Sequence, residues 1–367
     1  MREWCLYFRI VAPLNRAQRG RPAPGCLIEG SSPSLFLLFD LSVENVQMRT
    51  LLGLDTYSLR AQGWTAFQQL DFCAANGVQV AHFSEPRLIG TLDPAHLEKV
   101  RAYAEARGIS LEIGMLSICP TSGIFDPSQG TADEQLARLI DAAVVVRSPL
   151  VRCVVGNAFD RRTPGGIAPH IGEALQVLRR VRSRAMDAGV KIAVENHSGD
   201  MQARELKMLV ETAGTDYVGV CIDSGNASWA IEDPHLTLET LAPYVLTSHM
   251  RDSAVWNSPE GAVAQWTRMG EGNVDLSKYI RTYVERCPGR AVSLELIMHR
   301  QRTFDYRDPE FWSAYRETPA WEFARFLARA ERGTARPPVD ATKTESVEDV
   351  EVSLQWIAEL LAHCVSD

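Results

Sequence analysis

Four stretches decide the fold: VKIAVENH (190–197), VGVCIDSGN (218–226), VLTSHMRDS (245–253) and AVSLELI (291–297). Each is a short apolar, β-branched run, the pattern of a buried strand. Each also carries an ionisable or imidazole side chain near its end: Glu195, Asp223, His249 and Glu295. Residues two apart on a strand share a face. Ala193 and Glu195 therefore point one way, as do Cys221 and Asp223, Thr247 and His249, Ser293 and Glu295. The opposite faces (Ile192 and Val194, Val218 and Val220, Leu294 and Leu296) are uniformly apolar, suited to packing under helices.

The same rhythm extends upstream through LLGLDTYS (51–58), VQVAHFSE (78–85), SLEIGMLSI (110–118) and LVRCVVG (150–156). Between these runs lie segments of helical period, such as PAHLEKVRAYAEARG and IGEALQVLRRVRSRAMDAG, each ending in a glycine stop signal. Eight strand signals alternating with helices imply a parallel sheet closed into a (β/α)8 TIM barrel. An open doubly wound sheet is disfavoured, because no Gly-x-Gly-x-x-Gly turn follows the first strand. The reading is an α/β barrel over residues 48–332, then a linker and a C-terminal helical extension over 333–367. PAWEFARFLARAERG is expected to close the outer helix ring. VEDVEVSLQWIAELLAHC is expected to pack back onto the barrel through Val350, Leu354, Ile357, Leu360 and Leu361.

The chain has 367 residues, 46% of them hydrophobic, enough for a large core, and a formal net charge of −8. That charge excludes a nucleic-acid surface, which needs a basic stripe, and the apolar run Leu35 to Leu41 is too short to span a bilayer. The eight cysteines stand singly, without a CxxC pair, which reads as buried reduced thiols and a cytoplasmic location. Homo-oligomerisation is left open.

Barrel enzymes place their chemistry at the C-terminal ends of strands. Four metal-competent side chains at four consecutive strand ends therefore converge on one mouth. Singly, each carboxylate is as well explained by a helix cap or a surface pair, and the histidine by a structural role. Together, three carboxylates would repel unless a cation neutralised them. One imidazole with three carboxylates suits Mn²⁺ or Mg²⁺ first, with Co²⁺ or Zn²⁺ as alternatives.

These segments resemble the sugar isomerase and epimerase family with a xylose-isomerase-like barrel, over Leu51 to Ala330. The resemblance implies one divalent ion on Glu195, Asp223, His249 and Glu295, with the two glutamates also moving protons beside a substrate carbonyl. Ketose epimerases of the family carry a sugar-contacting histidine where Asn226 stands here. VENHSGDMQA, DSGN and HMRDS are closer to a sugar-acid subgroup that includes 3-oxo-isoapionate decarboxylase. Decarboxylation of a 3-oxo acid needs a cationic grip on a carboxylate, which Arg152 and Arg251 are placed to supply. Internal ion pairs are the plainer role for both, Arg152 with Glu112 and Arg251 with Asp252.

His197 is a candidate substrate contact or proton donor. Asn196, Asn226 and Gln265 are candidate hydroxyl contacts, with orientation of the ligands as the plainer role for the two asparagines. The stretch WNSPEGAVAQWTRMGEGNVDL is expected to cap the mouth as a loop, and Tyr57, His82 and Cys119 are weaker lining candidates. The expected activity is a metal-dependent carboxy-lyase acting on a small sugar acid; the alternative is a sugar isomerase or epimerase. A non-catalytic barrel is disfavoured by retention of all four ligand types. A related DNA-repair endonuclease barrel is disfavoured by the acidic charge and too few histidines.

Residues 1–47 carry five arginines and four prolines with no sustained period, unlike the rest of the chain. They read as an unstructured or mis-annotated leader, with translation starting at Met48. Mass spectrometry of natively expressed protein is expected to find Met48 or Arg49 at the N-terminus; a terminus upstream of these refutes it.

Overall fold

The computed structural model describes residues 50–364, so the leader over 1–47 lies outside the described residues. The strands begin with β1 (Leu52–Asp55), β2 (Val80–Phe83), β3 (Ser110–Ser117), β4 (Leu150–Val154), β5 (Lys191–Glu195) and β6 (Val218–Asp223). They continue with β7 (Val245–His249), β8 (Asp252–Asn257), β9 (Ala262–Thr267), β10 (Val292–Leu294) and β11 (Gln301–Phe304). Eight of them form one parallel sheet in the order β10–β1–β2–β3–β4–β5–β6–β7. The ring is completed between β7 and β10 by a single bridge, Met250 to Leu294. There the Met250 N–H donates to Ser293 O at 2.7 Å and the Glu295 N–H to Met250 O at 3.1 Å. The Ser248 hydroxyl donates to Ala291 O at 2.8 Å, serving the backbone where the ladder is sparse. The fold is the expected TIM barrel.

The helices are α1 (Ala66–Ala75), α2 (Pro86–Ile89), α3 (Pro94–Glu105), α4 (Ala132–Val146), α5 (Ala168–Ala188) and α6 (Ala203–Ala213). After them come α7 (Ser224–Trp229), α8 (Pro234–Leu241), α9 (Leu276–Arg286), α10 (Ala320–Glu331) and α11 (Val347–Cys364). Their starts are written locally: Thr65 and Thr131 make capping boxes with Gln68 and Glu134, and Asp93 caps α3 just before Pro94. The end of α5 falls at Gly189, whose φ of 65° is the left-handed conformation a helix stop requires. No helix among the described residues is long and apolar enough to cross a membrane. Cys73, Cys119, Cys153, Cys221 and Cys287 are buried free thiols, as expected.

Three expectations need correction. LLGLDTYS is a strand only as far as Asp55, whose carboxylate accepts the Tyr57 N–H at 3.0 Å and turns the chain into a 3-10 helix. The mouth-capping loop is an antiparallel sheet, order β11–β9–β8, because ladder pairing satisfies a backbone that a bare loop would leave unpaired. Of the two terminal helices, the last packs back onto the barrel as expected, and only α10 departs from expectation. α10 packs on β8, with Phe326 buried against Phe304 and Val255, and so braces the small sheet. α11 instead lies against β1, β10 and α9, where its buried Val350, Leu354, Ile357 and Leu361 complete the helical layer.

Because Ile357 is wholly buried, Ile357→Ala is expected to cost about 2–5 kcal/mol in urea denaturation. A neutral result would show that α11 contributes nothing to the barrel core.

Candidate metal centre

Strand alternation delivers Glu195, Asp223, His249 and Glu295 to one point at the mouth. A ligand atom from each lies within 4.8 Å of every other, and all four side chains are buried. The His249 Nδ1 atom stands 3.0 Å from both Glu195 Oε2 and Glu295 Oε2. Asp223 does two jobs. Its Oδ1 caps α7, accepting the N–H groups of Gly225 at 2.7 Å and Asn226 at 2.8 Å, while its Oδ2 has no hydrogen-bond partner. The helix-cap role weighed against a ligand role thus occupies only one oxygen.

Charge explains why this cluster could hold a cation. Asp55, Glu112, Glu195, Asp223 and Glu295 are five buried carboxyl groups, against two buried guanidiniums, Arg152 and Arg251. Burial pushes Asp223 up to about 7, against the pull of Arg251. Burial likewise raises Asp55 to about 6 and Glu112 to about 7. For Glu195 burial also acts upward, but Arg152 and His249 outweigh it and hold the carboxylate down to about 2. Glu295 is held well below the ordinary range in the same way, burial being outweighed by Arg251 and His249. The imidazole of His249 is driven well above its ordinary value: burial opposes this, and Cys221, Glu195 and Glu295 override it. A proton therefore sits where a divalent ion would neutralise the same carboxylates, and binding an ion there would release it. Asp223 Oδ2 and His249 Nδ1 are buried and make ion-pair contacts but no hydrogen bond, and are the atoms such an ion would satisfy. The donor set fits a divalent metal. Cys221, also within reach of Glu195 and His249, adds a softer donor beneath it.

The arginines do not make the pairs expected of them. Arg152 places Nε and Nη2 at 2.5 Å from Glu195 Oε2, and its Nη1 donates to Met115 O at 3.2 Å. Glu112 instead accepts the Thr247 hydroxyl at 2.6 Å. Arg251 pairs through Nε with Asp223 at 2.8 Å and through Nη2 with Glu295, leaving Nη1 buried and unpartnered. The Arg251 guanidinium lies 4.3 Å over the Trp266 ring, which stacks on Trp229 at 4.0 Å. Gly225 permits this approach, since a Cβ there would lie 2.8 Å from Arg251 Cβ and 3.0 Å from the indole of Trp266.

A cavity of about 220 Å³ opens above the quartet, walled by Tyr57, Arg152, His197, Trp229, Arg251, Trp266 and Glu295. Glu295 reaches this cavity; Glu195 is not among its lining residues. His197 also lines it, on a turn where Ser198 (φ 43°) and Gly199 (φ 78°) adopt left-handed backbone. Its Nδ1 lies 2.7 Å from Gly156 O, so Nδ1 carries the proton and Nε2 is an acceptor. Burial lowers its pKa, which keeps the ring neutral. His197 was expected as a substrate contact or proton donor, and this tautomer offers the cavity an acceptor. Asn226 donates Nδ2 to Glu195 Oε1 at 3.1 Å, and Asn196 braces the backbone of Asp223, its Nδ2 2.8 Å from Asp223 O. Both asparagines orient ligands.

Gln265 departs from expectation. Its Oε1 accepts from Gln301 at 3.0 Å, and strand alternation gives the cavity to its neighbour Trp266 instead. Cys119 packs on His170, away from the cavity. Asp55, Trp229, Arg60 and Arg300 were not singled out from the sequence. For Asp55 the signal was present: it ends a strand, as the four ligands do.

The family model described as Xylose isomerase-like TIM barrel matches residues 70–317. The curated 3-oxo-isoapionate decarboxylase of Pectobacterium atrosepticum is 26% identical over 185 residues, 50% of this chain and 60% of that protein. The chain thus spans less than two thirds of that relative. Among solved structures, D-psicose 3-epimerase from Clostridium cellulolyticum, crystallised with D-tagatose, superposes with a TM-score of 0.54 at 13% identity. That match covers 85% of this chain and 99% of the other. The IOLI protein, with a binding zinc atom, gives a TM-score of 0.51 at 14% identity over 77% of this chain and 100% of the other. At these identities the structural matches speak to the fold.

Mn²⁺ at about 100 times its Kd is expected to stabilise the protein by about 2.7 kcal/mol, read as a rise in Tm. Asp223→Asn should abolish the rise; an undiminished rise in that variant would put the ion elsewhere.

Proposed function

The chain belongs to the Xylose isomerase-like TIM barrel family, and from that premise we propose that it is a divalent-metal-dependent enzyme of carbohydrate breakdown. Its proposed substrate is a small sugar-derived keto acid, a branched 3-oxo sugar acid such as 3-oxo-isoapionate, which it decarboxylates. The observation that carries this reading is Arg251, a residue that lines the small cavity beside the quartet and whose buried Nη1 has no hydrogen-bond partner. A substrate carboxylate would meet that donor with a charge-assisted hydrogen bond, stronger than the neutral one a ketose hydroxyl offers. The sugar-acid relative supports the same choice.

Glu195, Asp223, His249 and Glu295 would hold Mn²⁺ or Mg²⁺, which would supply positive charge to stabilise the enediolate. The protein does the rest. Arg251 holds the carboxylate, and the stacked Trp229 and Trp266 wall shields it from water. The bond between the carboxylate carbon and the α-carbon breaks, CO₂ leaves, and its electron pair passes into the enediolate. One proton must return to carbon, and solvent that enters the cavity is its source; Glu295, the quartet carboxylate that lines the cavity, stands beside that path. His197 Nε2 accepts from a substrate hydroxyl, while Arg152 fixes Glu195 in place.

One feature favours a second reading, a sugar isomerase or epimerase. Glu295 is held ionised by Arg251 and His249, the state a base needs to remove a proton beside a carbonyl. The two reactions separate in D₂O. With Mn²⁺, branched 3-oxo acids are expected to release CO₂, and Arg251→Met should lower kcat/KM at least ~100-fold, about 2.7 kcal/mol. Metal-dependent hydrogen exchange into ketoses, with no CO₂ from any 3-oxo acid, overturns the decarboxylase reading in favour of the epimerase.

A further inference from the structure

A histidine that binds a metal through one ring nitrogen must carry its proton on the other, and that N–H needs an acceptor to fix the tautomer and the ring plane. His249 turns Nδ1 toward Glu195 and Glu295. Its Nε2 faces the opposite way, into the floor of the barrel, where the Nδ1 atom of His82 lies 3.0 Å away. These two rings come from β2 and β7, and their centroids are 4.8 Å apart. Asp55 Oδ2, also buried and without a hydrogen bond, is the next acceptor at 3.6 Å from His249 Nε2.

We propose that His82 is a positioning residue for the metal centre: it accepts the Nε2–H of His249 and so aims the Nδ1 lone pair at the ion. This rests on the metal reading of the quartet given above. The surroundings of His82 free it for that bond. Glu112, whose carboxylate is 3.5 Å from His82 Nδ1, is instead occupied by the Thr247 hydroxyl at 2.6 Å. The Nε2 of His82 has no hydrogen-bond partner, so the tautomer that keeps Nδ1 as acceptor leaves one buried N–H unsatisfied, a cost the bond from His249 Nε2–H must offset. Strand register places His82 opposite both Asp55 and Glu112, and its side chain is wholly buried. No route to substrate runs through it; it acts through His249.

Binding of Mn²⁺ to metal-stripped protein, followed by electron paramagnetic resonance, tests the assignment without any turnover. His82→Phe keeps a ring of similar size but offers no acceptor, and should weaken the Mn²⁺ Kd 10- to 100-fold. His82→Asn, whose Oδ1 can stand where Nδ1 stood, should restore the Kd to within about fivefold of wild type, a rescue that a purely space-filling role would not give. If His82→Phe does not fold by circular dichroism, His82→Ala replaces it in the same comparison. An unchanged Kd in the acceptor-free variant, or one as weak in His82→Asn as in that variant, overturns the proposal. Glu195→Gln separates the two levels. Mn²⁺ binding equal to wild type in that variant, or absent from the wild type, defeats the metal reading itself. Loss in Glu195→Gln with none in the acceptor-free variant defeats only the role of His82.

Discussion

The arrangement depends on one electrostatic constraint: more buried negative charge at the barrel mouth than its own cations can balance. Five carboxyl groups meet two guanidiniums within a region closed to water. In such surroundings each uncompensated charge costs several kcal/mol. The protein answers in three ways. Arginines are drawn onto Glu195, Asp223 and Glu295, the His249 imidazole is driven well above its ordinary pKa, and burial pushes Asp55, Glu112 and Asp223 upward. A divalent ion is a fourth answer, and two ligand atoms lie without hydrogen bonds where it would sit.

The barrel makes that concentration sustainable. Register sets Glu195 beside Cys221 and Asp223 beside His249, so neighbouring strands present their polar groups in adjacent rows. Apolar residues on the alternate positions lock each strand under its helix, which keeps the polar rows from relaxing apart. The small β8–β9–β11 sheet then brings Trp266 against Trp229 and beneath Arg251. That contact turns a charged pit into a cavity lined by Arg251, whose buried Nη1 has no hydrogen-bond partner, which is the basis for preferring an acidic substrate.

Much of this is legible in the sequence, and the reasons for the rest are specific. Glu195, Asp223, His249 and Glu295 can be read because strand alternation and strand ends are local properties. The partners of Arg152 and Arg251 cannot, since they depend on how far each strand is staggered around the barrel. Arg152 lies level with Ala193, yet its side chain climbs to Glu195. Gln265 and Trp266 show the same limit: their stretch looks like a loop by its glycines, and only pairing with β11 decides which of the two meets the cavity. The partner of α10 is not legible either, because a helical stripe reveals that a helix packs, but not on what.

Crystals grown with Mn²⁺ and measured for anomalous scattering test the central claim most directly. The account predicts one strong peak in contact with Glu195, Asp223, His249 Nδ1 and Glu295, with the Arg251 guanidinium withdrawn toward Trp266 and the cavity. No peak at that point, with the arginine still seated between Asp223 and Glu295, would contradict it.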